Sequence, residues 1–277
     1  MMSTHIATRI AARLDDIPPG LLLAWLFVAM LALMTVWPSG FTHYSGIRGA
    51  AAEHLQAPGH RHWFGTDQLG RDMFARVAYG ATNTLRAALL AVSIGLTVGA
   101  ILGLLAGATG GRADSLIMAG VDIVLSIPEL LLSLSIVILL GFGTVHAAIS
   151  VGIAQIAGFA RIVRGDALRV RNSEFVEAAY GCGSSHAGVL WRHILPNCLS
   201  SAASLAVLRF STAILSIATL GFLGYGTPPP TPEWGLMIAE GRNYLATAWW
   251  MTSFPGLAVL CVSLAAYRIS HAIGTRA

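Results

Sequence analysis

Six long apolar runs dominate this chain, near residues 20–37, 82–108, 115–140, 144–163, 198–222 and 250–272. Each is long enough to cross about 30 Å of hydrocarbon at about 1.5 Å of helical rise per residue. The runs are continuously apolar and do not alternate, so they read as helices and not as barrel strands. Only 11% of the residues are charged, where a soluble domain carries about 25%. Such a chain lacks the charge to cover a water-facing surface. The expected class is an all-α integral membrane protein with about six transmembrane helices.

The formal net charge is +4, and all 17 basic residues are arginine. In a membrane chain this excess orients the spans and does not argue for nucleic acid. Arg9, Arg13, Arg112, Arg161, Arg164, Arg169, Arg171, Arg192, Arg268 and Arg276 share one side if the N-terminus is cytoplasmic. Arg48, Arg61, Arg71, Arg76 and Arg242 fall on the other, spread over two longer loops. Both termini are therefore expected inside. The resulting organisation is a cytoplasmic N-terminus at 1–19, a first helix at 20–37 and an extracytoplasmic loop at 38–81. A core at 82–272 follows, with a cytoplasmic segment at 164–197 and a second outer loop at 224–249. The first run is as long as a span and no small-residue cleavage site follows it, so it reads as a retained helix.

Polar residues inside the runs are few. Asp122, Ser126 and Glu129 fall at i, i+4 and i+7, on one helix face, beside a Pro128 that should kink the helix. Acids in a span need partners or water. These residues read as a polar lining or gate of a pathway, or as partners for arginines near the interface. Arg209 in the fifth run needs an acid, and Asp122 or Glu129 suits it by charge. Gly95, Gly99, Gly103 and Gly107 line one face of the second run. That face suits close helix packing, either within the chain or as a gate-helix contact or a contact with a second chain.

Several chemistries find no support. Cys182, Cys198 and Cys261 have no metal or redox spacing. His43, His54, His60 and His62 share an outer loop without a recognisable ligand set, so they read as solvated histidines and no metal site is expected. No Gly-rich loop with Lys-Ser/Thr is present, so the chain should bind no nucleotide cofactor. A stand-alone secondary transporter or channel remains the alternative. It would need an inverted repeat and midplane acids, and no repeat links the two halves.

The stretch 177–196, EAAYGCGSSHAGVLWRHILP, is a polar island between apolar runs. Ser173 is placed to cap a helix with Glu174 in its first turn. Gly183 breaks that helix. A short amphipathic segment, 184–195, follows, and Pro196 is expected to end it. The result is a helix–break–short-helix element at the membrane surface, rigid enough to transmit a push.

Glu177-Ala178-Ala179, Gly183 and His193-Ile194-Leu195-Pro196 together resemble the coupling motif of bacterial ABC importer permeases. Three further segments resemble one branch of that family, the second ("C") permease of dipeptide, oligopeptide and nickel importers. They are Trp63–Asp72 (WFGTDQLGRD), Gly221–Gly226 with Pro229–Gly235 (PPTPEWG), and Phe254–Leu257. The resemblance implies the type I importer permease fold. It also implies a second homologous permease, two ATP-binding subunits that hold ATP and Mg, an extracytoplasmic binding protein, and a place in the bacterial inner membrane. The ATPase contact would comprise Glu177, Ala178, Ala179, Gly183, His186, Val189, Leu190, His193, Leu195 and Pro196. Pro229, Pro230, Pro232 and Trp234 would face the binding protein. Two departures stand out: His193 replaces a usual Ile, and Ile217 replaces an acid usual in peptide importers. The second departure, with a short N-terminus, tilts the expected solute towards nickel or a metal chelate rather than short peptides.

Overall fold

The computed structural model describes residues 19–274. Arg9, Arg13, Arg276 and nearly all of the N-terminal segment 1–19 lie outside the described residues. Helix α1 spans Pro19–Val36. It ends just before Trp37-Pro38, where the proline restricts the preceding residue to extended geometry. Helix α2 spans Met73–Thr109 and starts nine residues earlier than the apolar run suggests. Asp72 explains the early start, because its Oδ1 accepts from Ala75 N at 2.7 Å and caps the first turn. At 37 residues the helix is about 55 Å long, so it projects beyond the hydrocarbon.

Helix α2 stops at Gly110, whose φ of +67° suits glycine. Helix α3, Gly111–Leu125, and helix α4, Glu129–Leu140, meet at an angle of 89°. Pro128 causes the break: it supplies no N–H to continue the ladder and disfavours helical geometry at Ile127. The kink expected at this proline is thus a complete break. Helix α5 spans Thr144–Arg171, with Arg169 and Arg171 in the last turn against its exposed carbonyls. Helix α6 is Glu174–Gly181, α7 is His186–Val189, and a π-helical stretch, Leu190–Ile194, joins α7 to α8, Leu195–Phe222. Helices α9, Trp234–Gly241, and α10, Trp250–Gly274, complete the chain.

Among the described residues, five helices are long and apolar enough to cross a membrane, and the bent α3–α4 pair makes a sixth if counted as one span. The α2–α5 pair is the spine. A Cβ on Gly99 would stand 2.5 Å from Phe159 Cβ, and one on Gly103 would stand 2.5 Å from the Ala160 carbonyl. Gly95 faces Gln155 and Phe159, and Gly107 faces Ala167. The glycine face is therefore an intrachain contact and not a contact between permeases. Helix α8 packs on α5, α9 and α10, and α1 lies along α10 through Leu21, Ala24, Ala265 and Ile269.

The loops gather at two ends. One end holds 37–72, the α4–α5 turn and 223–249, tied together by Trp250 Nε1 donating to the Thr66 carbonyl at 2.9 Å and by Asn83 Nδ2 donating to the Pro232 carbonyl at 2.8 Å. The other end holds the α2–α3 turn and the segment 172–194.

Candidate functional sites: a coupling segment and an intramembrane ion pair

The segment between α5 and α8 is built by local rules. Helix α6 ends in a paired turn in which Gly183 N donates to the Tyr180 carbonyl at 2.9 Å and Ser184 N to the Ala179 carbonyl at 3.1 Å. That pattern needs a left-handed residue after the helix, and Gly183 supplies it with φ +84°. Ser185 then caps α7, its Oγ accepting from Gly188 N at 3.2 Å. Two sequence expectations change here. Ser173 stands at the start of α6, but its hydroxyl donates to the Val170 carbonyl and caps nothing. Pro196 does not end the segment, because it lies in the first turn of α8, where a missing N–H is tolerated and the preceding π-helical turn absorbs the geometry.

The segment is pinned from beneath. Val176, Val189, Ile194 and Cys198 are buried together with Ala167 of α5, and His186 Nδ1 lies 3.1 Å from the Tyr180 hydroxyl. Val189 is therefore an anchor and not a contact residue. Leu190, His193, Leu195 and Ala179 are half-buried, while Glu177, Ala178, Gly183, His186 and Pro196 are exposed. Sequence reasoning missed two aromatic side chains on the outer surface. Trp191 is 68% exposed and Phe175 is 49% exposed. The available signal was a large apolar residue set among polar neighbours in an otherwise amphipathic segment.

Within the spans, the broken α3–α4 junction separates the acids. Asp122, Ser126 and Glu129 do not share one helix face. Asp122 pairs with Arg161 in an exposed ion pair. Ser126 donates to the Ile123 carbonyl at 2.7 Å. Glu129 Oε2 accepts from Arg209 Nη1 at 3.3 Å, so α4 and α8 are joined by the partner that charge alone suggested. The side chains of this pair remain 34% and 24% exposed. Arg209 lies over Gly158, where a Cβ would stand 2.5 Å from its Nη2.

The loop-rich end contains a buried polar knot, which takes in His62, a residue expected in solvent. Asp67 accepts from Leu69 N at 2.8 Å and Arg71 N at 2.9 Å, and it pairs with the Arg71 guanidinium. Arg76 bonds Glu240 at 2.7 Å. His62 Nδ1 lies 2.8 Å from Asp72 Oδ2 with both groups buried, so His62 is not a solvated loop histidine. His43, His54 and His60 are exposed.

Trp234 is fully buried, its Nε1 donating to the Val77 carbonyl at 3.0 Å, and Pro232 is buried as well. Only Pro229 and Pro230 of the four binding-protein candidates reach the surface. The Asp72 cap extends α2 upward, and α9 packs against the added turns, which buries Trp234. Beside Trp234, Glu233 is buried, its Oε2 accepting from Thr227 N at 3.1 Å and from Thr144 Oγ1 at 3.5 Å. Burial pushes its carboxyl up to about 7.

A bundle of apolar helices with charged pairs between spans and a pinned element at one end has the make-up of a membrane translocation unit. The comparisons give it a family. A family model described as "Binding-protein-dependent transport system inner membrane component" matches residues 99–277. The chain is 41% identical over 241 residues to the probable D,D-dipeptide transport system permease protein DdpC of Escherichia coli strain K12, covering 87% of this chain and 80% of that one. It is 39% identical over 249 residues to the di/tripeptide transport system permease protein DppC of Pseudomonas aeruginosa, covering 89% and 82%. It is 36% identical over 243 residues to the glutathione transport system permease protein GsiD of Pectobacterium atrosepticum, covering 87% and 81%. Its fold is similar to the inward-facing MetNI methionine ABC transporter, with a TM-score of 0.58 at 19% identity over 73% of this chain and 97% of that one.

The chain belongs to the binding-protein-dependent transport system inner membrane component family. It is a multi-pass inner-membrane protein, a "C"-type permease subunit of an ABC importer.

Proposed function

We propose that this chain translocates short peptides into the cytoplasm as one of two permeases in an ATP-driven importer. The relatives named above carry dipeptides, tripeptides or glutathione in their names, and this outweighs the tilt towards nickel drawn from Ile217. Ile217 is fully buried in the main core, so an apolar residue there answers to packing and says little about the solute.

In this reading the termini and the segment 172–194 are cytoplasmic. Exposed Arg169 and Arg192 stand at that end, while Arg71 and Arg76 at the opposite end are neutralised in buried ion pairs. The ATP-binding subunits hold ATP and Mg, dock on the face presented by Phe175, Glu177, Ala178, His186 and Trp191, and close on ATP. The exposed prolines Pro229 and Pro230 meet the binding protein, and a second, homologous permease completes the pathway. Uptake against a gradient needs an energy source that binds the two access states unequally, and the coupling segment is where that difference enters.

The observation that carries this reading is mechanical continuity. His186 to Phe222 forms one helical course through the π-helical stretch, so a push on the docking face is delivered directly to α8. The test is reconstitution with the partner permease, ATPases and binding protein in liposomes, followed by labelled dialanine uptake. ATP-dependent accumulation is expected. Accumulation without ATP supports a stand-alone transporter, and accumulation of nickel chelate but not dialanine removes the peptide reading.

A further inference from the structure

Arg86 of α2 is exposed and, among the described residues, forms no hydrogen bond or ion pair. Two clefts meet at it. One, of about 370 Å³, lies towards the end of α1 and is lined by Thr35, Ser45, Tyr79 and Thr82 among others. The second, of about 420 Å³, lies towards the start of α5 and takes in Phe142, Thr144, His146 and Thr227. Asn83, Arg86 and Thr231 line both. Among the described residues neither lining contains an acid, and the Glu233 carboxyl is fully buried behind Thr144 and Thr227. Further donors are at hand. Ser45 Oγ accepts from Ile47 N at 3.2 Å and Arg48 N at 3.1 Å, which leaves its own proton to give.

Position says what kind of anion belongs there. The clefts put Arg86 level with Val36, the last residue of α1, and Thr144, the first of α5. That level is the rim of the hydrocarbon at the loop-rich end, and Met73–Leu85 carries α2 about 20 Å beyond it. Trp37 and Phe142 stand exposed at the same two helix ends, as aromatic side chains do at a membrane–water interface. On the other side of Arg86, Leu89, Leu90, Ser93, Thr97 and Ile101 continue its exposed face along α2 without a charge. Leu22, Leu26 and Leu33 are exposed on α1, which is also uncharged. The charged pairs between spans, Asp122–Arg161 and Glu129–Arg209, sit instead on α3, α4, α5 and α8. The α1–α2 face is therefore left to acyl chains, and Arg86 stands where their phosphates lie.

We propose that Arg86 and its two clefts bind the headgroup of an anionic phospholipid, phosphatidylglycerol, from the leaflet at the loop-rich end. The guanidinium takes two phosphate oxygens as a fork. The acyl chains run along the exposed face of α2, and the glycerol hydroxyls meet the hydroxyl and amide groups of the cleft walls. Charge selects the headgroup. An ethanolamine brings an ammonium for which the clefts hold no carboxylate, and a choline brings a cation with no proton to donate. A lipid seated in both clefts bridges the end of α1, the middle of α2 and the start of α5, so it braces that end of the bundle.

The test uses the purified importer complex, stripped of lipid in detergent. Phosphatidylglycerol or phosphatidylcholine is added in mixed micelles, and bound lipids are counted by native mass spectrometry. Wild type is expected to take its first phosphatidylglycerol at a concentration roughly tenfold below that needed for phosphatidylcholine. Arg86→Gln should weaken that binding roughly tenfold, the loss of about one charge-assisted bond, and leave phosphatidylcholine unchanged. The exposed Arg86 makes no bond within the described chain, so the variant should assemble normally. Arg242→Gln is the control, because Arg242 is exposed at the same end and lines neither cleft. It should bind phosphatidylglycerol like wild type. Equal binding of the two lipids by wild type overturns the proposal, as does binding by Arg86→Gln within about twofold of wild type. An equal loss in both variants also overturns it, since that is attraction to surface charge at large. Loss of a partner subunit from Arg86→Gln with lipid binding unchanged assigns Arg86 to a protein carboxylate and overturns the lipid site.

Discussion

Substituting Gly99 by alanine tests the helix spine directly. The added Cβ would stand 2.5 Å from Phe159 Cβ and 2.7 Å from the Ile156 carbonyl, where ordinary contact begins at 3.4 Å. Backbone cannot step aside as a flexible side chain can, so α2 and α5 must part by about 0.9 Å at that level, the difference between 3.4 and 2.5. Overpacking of this kind costs about 1–3 kcal/mol. Alanine also gains about 1 kcal/mol over glycine in any helix interior. Gly120→Ala in α3 isolates that gain, because nothing lies within 4 Å of its Cβ. The difference between the two variants is therefore the steric cost alone. The assay is thermal unfolding of the purified chain in one detergent. Each kcal/mol shifts the midpoint by roughly 2–4 °C in a chain of this size. Gly99→Ala should melt several degrees below Gly120→Ala. Equal midpoints would refute the reasoning that the glycine face exists to let α5 approach.

Glu233 gives a pH prediction. Its carboxyl is raised to about 7 from an ordinary 4.5, so between those values the folded state holds the proton more tightly than the unfolded chain. Its contribution is then full below 4.5 and is lost as pH rises through 7, by roughly 3 kcal/mol in order of magnitude. Melting at pH 5 and pH 8 should show the fall in wild type and a smaller fall in Glu233→Gln. Asp67→Ala should destabilise the loop-rich end by about 3–5 kcal/mol, because it removes the near partner of the buried Arg71 guanidinium and leaves Arg71 and Arg76 to share Glu240. Limited proteolysis of 37–72 would detect it, and an unchanged cleavage pattern would contradict the account of the knot.

The sequence made the spans legible because burial in lipid imposes a length and a composition on each run. The breaks at Pro128 and Gly183 were legible because single residues dictate them through a missing N–H and a positive φ. Long-range pairing was not. Nothing near Trp234 announces that Asp72 extends α2 to meet it, and nothing near His62 announces the buried Asp72 carboxylate. Those contacts belong to the packing of distant segments, so an exposed role seemed natural for both residues. In the candidate sites, the charges of Glu129 and Arg209 suggested a pair.

The central claim is that the segment 174–196 takes up the work of ATP. It is tested most directly by Glu177→Lys and Gly183→Trp in the reconstituted complex, reading ATPase co-purification and its stimulation by loaded binding protein. Both residues are exposed, and among the described residues nothing beyond its chain neighbours lies within 4 Å of a Cβ at Gly183, so neither change should disturb the bundle except through the strained φ of +84° at that glycine. The account expects the ATPases to dissociate or their stimulation to collapse. Complexes that assemble and respond like wild type would place the energy input elsewhere and contradict it.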